Sequence, residues 1–328
     1  MAYANNPHAT YPLGIDISLS NDDLYRDIKN VVRNVMCANE AVSKDETWTL
    51  ARDEDISVKV LSGGLTNSLF LVSNNIATDA KVILRTFGTG SELFIDRDQE
   101  NLVFAALSQA GFGPSFLGLI QGGRIEGYIP SSSLHFSQLK HESVYSQIAR
   151  AVSDLHSYEV SVIKTEKIWL WDKISQFFNI IDDIKFDDPM KAESLAALRV
   201  DVMRGELSYI QHTLTKIHAT LKNKASTELN EGRLHAFELA LSHNDLHSGN
   251  ILASMGNTEH IESVSFIDYE YAAYNYRAYD LADFFCEFGG LDINMKANFP
   301  SEDVRNEFVK TYLKGSLQAY IMHTNMSI

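Results

Sequence analysis

Two runs, LALSHNDLHSGNIL from Leu239 to Leu252 and SVSFIDYEYAAYNYRAYDLADFFCEF from Ser263 to Phe288, constrain this chain more tightly than any other part of it. Each opens on an apolar, strand-like stretch and delivers acidic or amide side chains at its end, as a sheet edge does when it presents oxygen ligands to a hard cation. His243, Asp245 and Asn250 read H-x-D-x-x-x-x-N, and Asp268 closes Ser265-Phe266-Ile267. A polar hairpin with carboxylates facing water would explain an isolated H-x-D. The I-D pair at strand distance makes that the weaker reading.

These residue types recur together where a phosphoryl group is moved. The attacking hydroxyl needs a carboxylate to accept its proton, and the phosphates need Mg²⁺ held by oxygen ligands. Asp245 is the candidate base, Asn250 and Asp268 are the candidate metal ligands, and His243 is read as a buttress of the loop.

The glycines of Ser62-Gly63-Gly64-Leu65-Thr66-Asn67 lie between strand-like segments Ile56 to Leu61 and Leu69 to Ser73. Such a turn is often only a hairpin. Upstream of a catalytic block it reads as a lid over the ATP phosphates: Gly63 and Gly64 free the backbone N–H groups, and Thr66 and Asn67 add side-chain donors. Arg85 emerges from a third strand, Lys81 to Phe87, and a half-buried cation needs a phosphate or a carboxylate. Glu100, on the helix expected from Asp96 to Ala110, is the expected partner; the bland alternative is a solvated helix glutamate. An outer helix is expected from Asn21 to Glu40, capped by Ser20 or Asn21, and further strands from Ser115 to Ile120 and Arg124 to Ile129.

Pro130 and the serines at 131 to 133 mark a boundary between an amino-terminal nucleotide-binding lobe, residues 1–129, and a carboxy-terminal catalytic and substrate-binding lobe, residues 130–328. Beyond it the chain reads as mainly helical, with segments Val144 to Tyr158, Trp169 to Ile181 and one long segment from Ala192 to Leu221. His156 is read as a core hydrogen-bonder, and Trp169 and Trp171 as core anchors. Glu270, Tyr271, Tyr274, Tyr276 and Tyr279 offer a carboxylate and aromatic faces, the surroundings that hold an ammonium group. Tyrosines 274, 276 and 279 are equally well read as core residues.

With 28 basic and 43 acidic residues the chain carries a net charge of −15, which argues against nucleic acid or an anionic membrane as a main partner. The two distant cysteines, Cys37 and Cys286, suggest reduced thiols. The start, MAYANNPHATYPLG, does not read as a secretory leader, and no run approaches the ~18 apolar residues of a membrane helix. A cytoplasmic protein without stable membrane insertion is expected.

His243 to Leu252 and Phe266 to Phe288 resemble the two signature blocks of the choline/ethanolamine kinase family, and the similarity continues through Leu61 to Asn67, Val82 to Gly88 and Gly113-Pro114, so it covers about residues 56 to 320. The resemblance implies an α+β, two-lobed protein-kinase-like fold, shared with the aminoglycoside phosphotransferases, with an antiparallel sheet and helices in the first lobe and a mainly helical second lobe. It implies ATP and Mg²⁺, and phosphorylation of the hydroxyl of ethanolamine or choline, the first step toward CDP-activated phospholipid head groups. It also implies that Arg85 stands where protein kinases use lysine and acts in catalysis, and that Gly127, Ile129, Leu252 and Ile267 contact the nucleotide. It implies further that Tyr271 and Glu287 line the amino-alcohol pocket, that Asp245 contacts the substrate hydroxyl and that Asp280 is a structural acid supporting the catalytic loop; Glu270, read from its carboxylate, is a further candidate for the amino alcohol. A homodimer is a further expectation.

The run Glu287 to Leu291, leading through Phe299-Pro300 to Tyr312-Leu313, looks more like an ethanolamine kinase than a choline kinase. Family members carry a Trp-x-x-Trp pair beyond the position of Tyr320, whereas this sequence stops at Ile328, so either the sequence is truncated or other residues complete the pocket. A choline kinase proper, a same-fold kinase with another acceptor, and a silent pseudokinase that only binds stay open as alternatives.

Overall fold

Alternating apolar residues in the first third of the chain pair into strands, and their inward faces are covered by one amphipathic helix. The computed structural model describes residues 10–39, 46–61, 67–77, 80–88, 90–224, 233–255, 261–290 and 294–325. They divide into two compact units, Met1–Leu134 with Gly249–Glu270, and His135–Ser248 with Tyr271–Ile328. The segment after the H-x-D loop thus returns to the first unit.

In the first unit, strands β1 (Thr10–Gly14), β2 (Ile56–Leu61), β3 (Asn67–Asn74), β4 (Lys81–Phe87), β5 (Phe116–Gln121) and β6 (Gly123–Gly127) form a six-stranded sheet in the order β1-β5-β6-β4-β3-β2. All pairings are antiparallel except that of β1 with β5. The sequence reading did not anticipate β1. Helix α1 (Asn21–Ala38) starts where the Ser20 side chain accepts the Asp23 N–H. Its buried face, Leu24, Ile28, Val31, Val32 and Val35, shares a core with Phe70, Val72, Val82, Leu84 and Ile125. Each such side chain contributes roughly 1.5–3 kcal/mol on burial.

Helix α2 (Arg97–Gln109) is capped by Asp96, and its chain leaves through Gly111 at φ 79°. A three-stranded sheet places β9 (Ile251–Met255) between β7 (Ser132–Ser133) and β10 (Ile261–Phe266). The serines read as a boundary therefore pair as a short strand, Ser133 opposite Leu252.

The second unit is mainly helical. Helix α3 (Glu142–Ser157) buries Ile148, Val152 and Leu155. Ser153 on it meets Ser316 of α8 (Glu302–Asn325) at 3.1 Å between hydroxyls. Helix α4 (Trp169–Asp183) is followed by α5 (Pro189–Ala197) and α6 (Val200–Asn223), so the single long segment expected from Ala192 is two helices. The break falls at Arg199, in the left-handed region at φ 53°. No glycine or proline marks it, which is why pattern alone ran across it. None of the residues of α4 is buried, so Trp169 and Trp171 are not the core anchors expected of them. Strands β8 (Leu239–Ser242) and β11 (Ala273–Tyr276) pair antiparallel and lead into α7 (Arg277–Cys286). Among the described residues no helix is long and apolar enough to cross a membrane.

Candidate active site

In the first unit the site is built on β4 and β6. Their register sets Arg85 opposite Arg124, and two like charges facing each other across a strand pair are unfavourable unless an anion joins them. Alternation along the strand puts Glu126 on the same face as Arg124. One oxygen of Glu126 accepts from Arg85 Nε at 2.8 Å and from Arg124 Nε at 2.7 Å. Arg85 Nη1 reaches Asp268 Oδ1 at 3.1 Å. Burial pulls the Arg85 guanidinium down, but the carboxylates of Glu126 and Asp268 outweigh it and raise its pKa.

The expected Arg85–Glu100 pair is not what forms. Glu100 accepts instead from Arg124 at 2.6 Å and from Arg97 at 2.6 Å. Burial works against its charge and the two guanidinium groups win, so its pKa is lowered. Glu126 and Arg124 are functional candidates that the sequence reading passed over. The alternation R-x-E beside a strand that also carries an arginine was the available signal.

Asn250 and Asp268 come together through the β9–β10 ladder. Phe266 lies opposite Ile251, and Ile267 donates its N–H to the Asn250 carbonyl at 3.0 Å. Asp268 itself sits at φ 65°, in the left-handed region that few residues other than glycine, asparagine and aspartate enter. The pair offers one amide and one carboxylate oxygen. Among the described residues no group of three or more His, Cys, Asp or Glu forms a metal cluster. Two oxygen donors suit Mg²⁺, which keeps waters and phosphate oxygens as its other ligands, so the donor set fits that ion.

Asn67 donates to Glu270 at 3.3 Å and accepts from Arg97 at 3.1 Å. Burial, with the charges of Asp268 and Glu100 added, pushes Glu270 up to about 7. Gly127 gives its N–H to the Ser115 carbonyl at 2.8 Å, and the Ile129 carbonyl accepts from Ser131 Oγ at 3.0 Å. Leu252 and Ile267 lie half-buried on and just after the same ladder. Gly63, Gly64 and Thr66 fall outside the described residues.

In the second unit β8 hands the chain to the loop from His243 to Ser248. Asp280, fully buried on α7, accepts the N–H of His243 at 2.7 Å and of Asn244 at 2.8 Å. It also bonds His156 Nε2 at 3.0 Å, and His156 Nδ1 meets Tyr312 at 2.9 Å, so His156 is the core hydrogen-bonder expected. Asn244 sits at φ 65° and its amide is held by the carbonyl of Tyr271 at 2.9 Å and by Asn275 at 2.8 Å. Asp283, one turn after Asp280, accepts the Leu246 N–H. Successive amides of the loop are thereby fixed on both sides of Asp245, whose side chain is 37 % exposed.

Tyr271 and Tyr279 both meet the edge of Trp169, with ring centroids 6.1 and 6.4 Å apart, and Lys173 Nζ stands 5.4 Å from the Tyr271 ring centre. Burial and the carboxylates of Asp283, Asp280 and Asp245 push Tyr279 up to about 12. Glu287 is raised by burial and the Asp245 charge, against the pull of His247. Tyr274 is buried, with its hydroxyl accepting the Val160 N–H at 3.1 Å, so it belongs to the core.

A family model described as choline/ethanolamine kinase matches residues 58–324. A probable ethanolamine kinase of Arabidopsis thaliana is 29% identical over 82% of this chain and 66% of its own length, and a probable choline kinase of the same plant is 29% identical over 87% of this chain and 75% of its own. The solved structure of a Plasmodium vivax ethanolamine kinase superposes with a TM-score of 0.68 at 22% identity, covering 92% of this chain and 77% of that one. That likeness establishes the shared fold.

Proposed function

The chain belongs to the choline/ethanolamine kinase family, and from that premise we propose that it transfers the γ-phosphoryl group of ATP to the hydroxyl of ethanolamine, with choline as the second acceptor. The observation that carries the reading is the match over residues 58–324, a span that contains Arg85, Asp245, Asn250 and Asp268 together. A silent binding protein would need none of the four.

In this reading the first unit holds the nucleotide and the second holds the acceptor. Asp245 takes the proton of the attacking hydroxyl, whose oxygen bonds to the γ-phosphorus as the bond to the leaving ADP oxygen breaks. Arg85 balances the phosphate charge, and Asn67 orients the phosphates. Asn250 and Asp268 would hold Mg²⁺, which neutralises phosphate charge when bound. Tyr271, with Trp169 and Tyr279, gives the acceptor's cation an aromatic face, and Glu287 its counter-charge.

Ethanolamine is favoured over choline on the acceptor side. Asp283 and Glu287 both feel the charge of Asp245, so hydrogen-bond acceptors gather there, and only a primary ammonium has N–H groups to give them. The product is the phosphorylated amino alcohol that opens the route to CDP-activated head groups. Two uncrosslinked cysteines and the acidic balance support a cytoplasmic setting.

The test is ADP release from MgATP with ethanolamine and with choline. Turnover with ethanolamine at a higher kcat/KM than choline is expected. Turnover only with an unrelated hydroxyl compound would move the acceptor assignment, and no turnover with any acceptor would leave a binding protein.

A further inference from the structure

We propose that Glu126, and not Glu100, is the residue that positions Arg85 for the nucleotide, and that Arg124 is the link through which helix α2 restrains it. The inference rests on the kinase reading for the role of Arg85. The geometry rests on the first unit alone.

Both oxygens of Glu100 are committed, Oε1 to Arg124 and Oε2 to Arg97. Arg85 turns its Nε to Glu126, whose side chain is 5 % exposed, and its Nη1 to Asp268, at 27 %. The inner carboxylate fixes the guanidinium plane through Nε, so the opposite, terminal end, whose Nη1 meets the part-exposed Asp268, is the end turned toward a phosphate. Arg85 and Arg124 face each other across the β4–β6 ladder, and the one carboxylate they share offsets the repulsion between them.

Arg124 is wholly buried and ties this carboxylate to α2 by three contacts. Its Nη1 donates to Glu100 at 2.6 Å and to Asn101 at 3.1 Å, and its guanidinium lies 4.3 Å from the Phe104 ring centre. A shift of α2 is therefore passed through Arg124 and Glu126 to Arg85. A direct glutamate–arginine pair would pass it in one step.

The isosteric variants Glu126→Gln and Glu100→Gln separate the two assignments, since each leaves a buried arginine short of one charge in the same network. Full-length protein is compared by thermal melting, by binding of MgATP measured without an acceptor, and by KM for ATP and for ethanolamine. Expected are melts lowered to similar degrees, an ATP KM and Kd raised about tenfold or more in Glu126→Gln and less than about threefold in Glu100→Gln, and an ethanolamine KM within about twofold in both. Equal effects on ATP, or a larger one in Glu100→Gln, overturn the inference.

Should Glu126→Gln not accumulate as folded protein, Arg124→Lys decides. It keeps the buried charge but cannot span Glu126 and Glu100 at once. A weakened ATP Kd in a folded Arg124→Lys protein supports the inference, and an unchanged one overturns it. A wild-type protein that binds no MgATP would remove the kinase reading itself, and this inference with it.

Discussion

Asp283 accepts the backbone N–H of Leu246 at 2.7 Å, one residue past Asp245. Helix α7 thereby holds the loop that carries the proposed base by two carboxylates one turn apart, Asp280 before Asp245 and Asp283 after it. A base must sit within hydrogen-bond reach of the proton it takes, and a displacement of about 1 Å is enough to cost a hundredfold. Asp283→Ala should lower kcat by roughly tenfold or more with the ATP KM unchanged, whereas Asp283→Asn, which keeps an acceptor oxygen, should retain most of it. Steady-state kinetics of the two variants checks the split; an equal loss in both would mean that charge, not the hydrogen bond, matters.

The same carboxyl sets a pH dependence. Burial, reinforced by Asp280, Asp245 and Glu287 and opposed by the Leu246 N–H, pushes Asp283 up to about 6 from 3.8. Between those values the unfolded chain has given up the proton while the folded one keeps it, so the Asp283 contribution to stability is full below about pH 4 and is lost as pH rises through about 6. Urea midpoints measured from pH 4 to 7 should show the wild type losing stability relative to Asp283→Asn across that window.

Replacing the proposed base tests the chemistry directly. Asp245→Ala should reduce kcat by about 10²–10⁴-fold while MgATP still binds, because general-base assistance contributes on that scale. Single-turnover phosphoryl transfer alongside nucleotide titration makes the comparison, and undiminished transfer would end the assignment of Asp245.

On the acceptor side, Glu287→Gln should raise the ethanolamine KM several-fold more than the ATP KM. Lys173 should act in the opposite sense. Its ammonium stands 5.4 Å from the Tyr271 ring centre, a face that the acceptor's own cation would use. A cation–π contact at a part-exposed site is worth about 0.5–1 kcal/mol, so Lys173→Met should lower the amino-alcohol KM by about two- to fivefold. Competition kinetics with ethanolamine and choline reads both variants, and a rise in KM for Lys173→Met would show that the lysine helps binding.

Asp280 should matter for folding as well as for catalysis. Its removal leaves the N–H groups of His243 and Asn244 and the His156 ring without an acceptor, at about 1–3 kcal/mol for each orphaned donor. Despite burial, the His156 hydrogen bond holds the Asp280 pKa below 3.8, so its stabilising contribution is present above about pH 4 and is lost as pH falls below that. Tyr312→Phe, which removes the outer bond to His156 together with the bond that Arg277 Nη1 donates to the same hydroxyl, should cost about 1–3 kcal/mol in denaturant unfolding.

Residue order was enough to locate the strands Ile56–Leu61 and Lys81–Phe87 to the residue, to narrow the first helix cap to Ser20 or Asn21, of which Ser20 is the cap, and to mark the two blocks that hold Asp245, Asn250 and Asp268. These features are written in neighbours: side-chain alternation, a hydroxyl before a helix, a carboxylate five residues ahead of an amide. What the order could not state was which buried arginine meets which glutamate. That choice depends on the register that sets Arg85 opposite Arg124, a relation between residues 39 positions apart that no local pattern encodes.

The break at Arg199, the parallel strand Thr10–Gly14, and the return of Gly249–Glu270 to the first unit have the same origin. The sequence by itself determined the chemistry this protein can carry, because reactive groups are properties of residue types. Tertiary structure alone decided which groups hold Arg85 and Asp245 in place, because a buried charge takes the partner that long-range packing brings within reach.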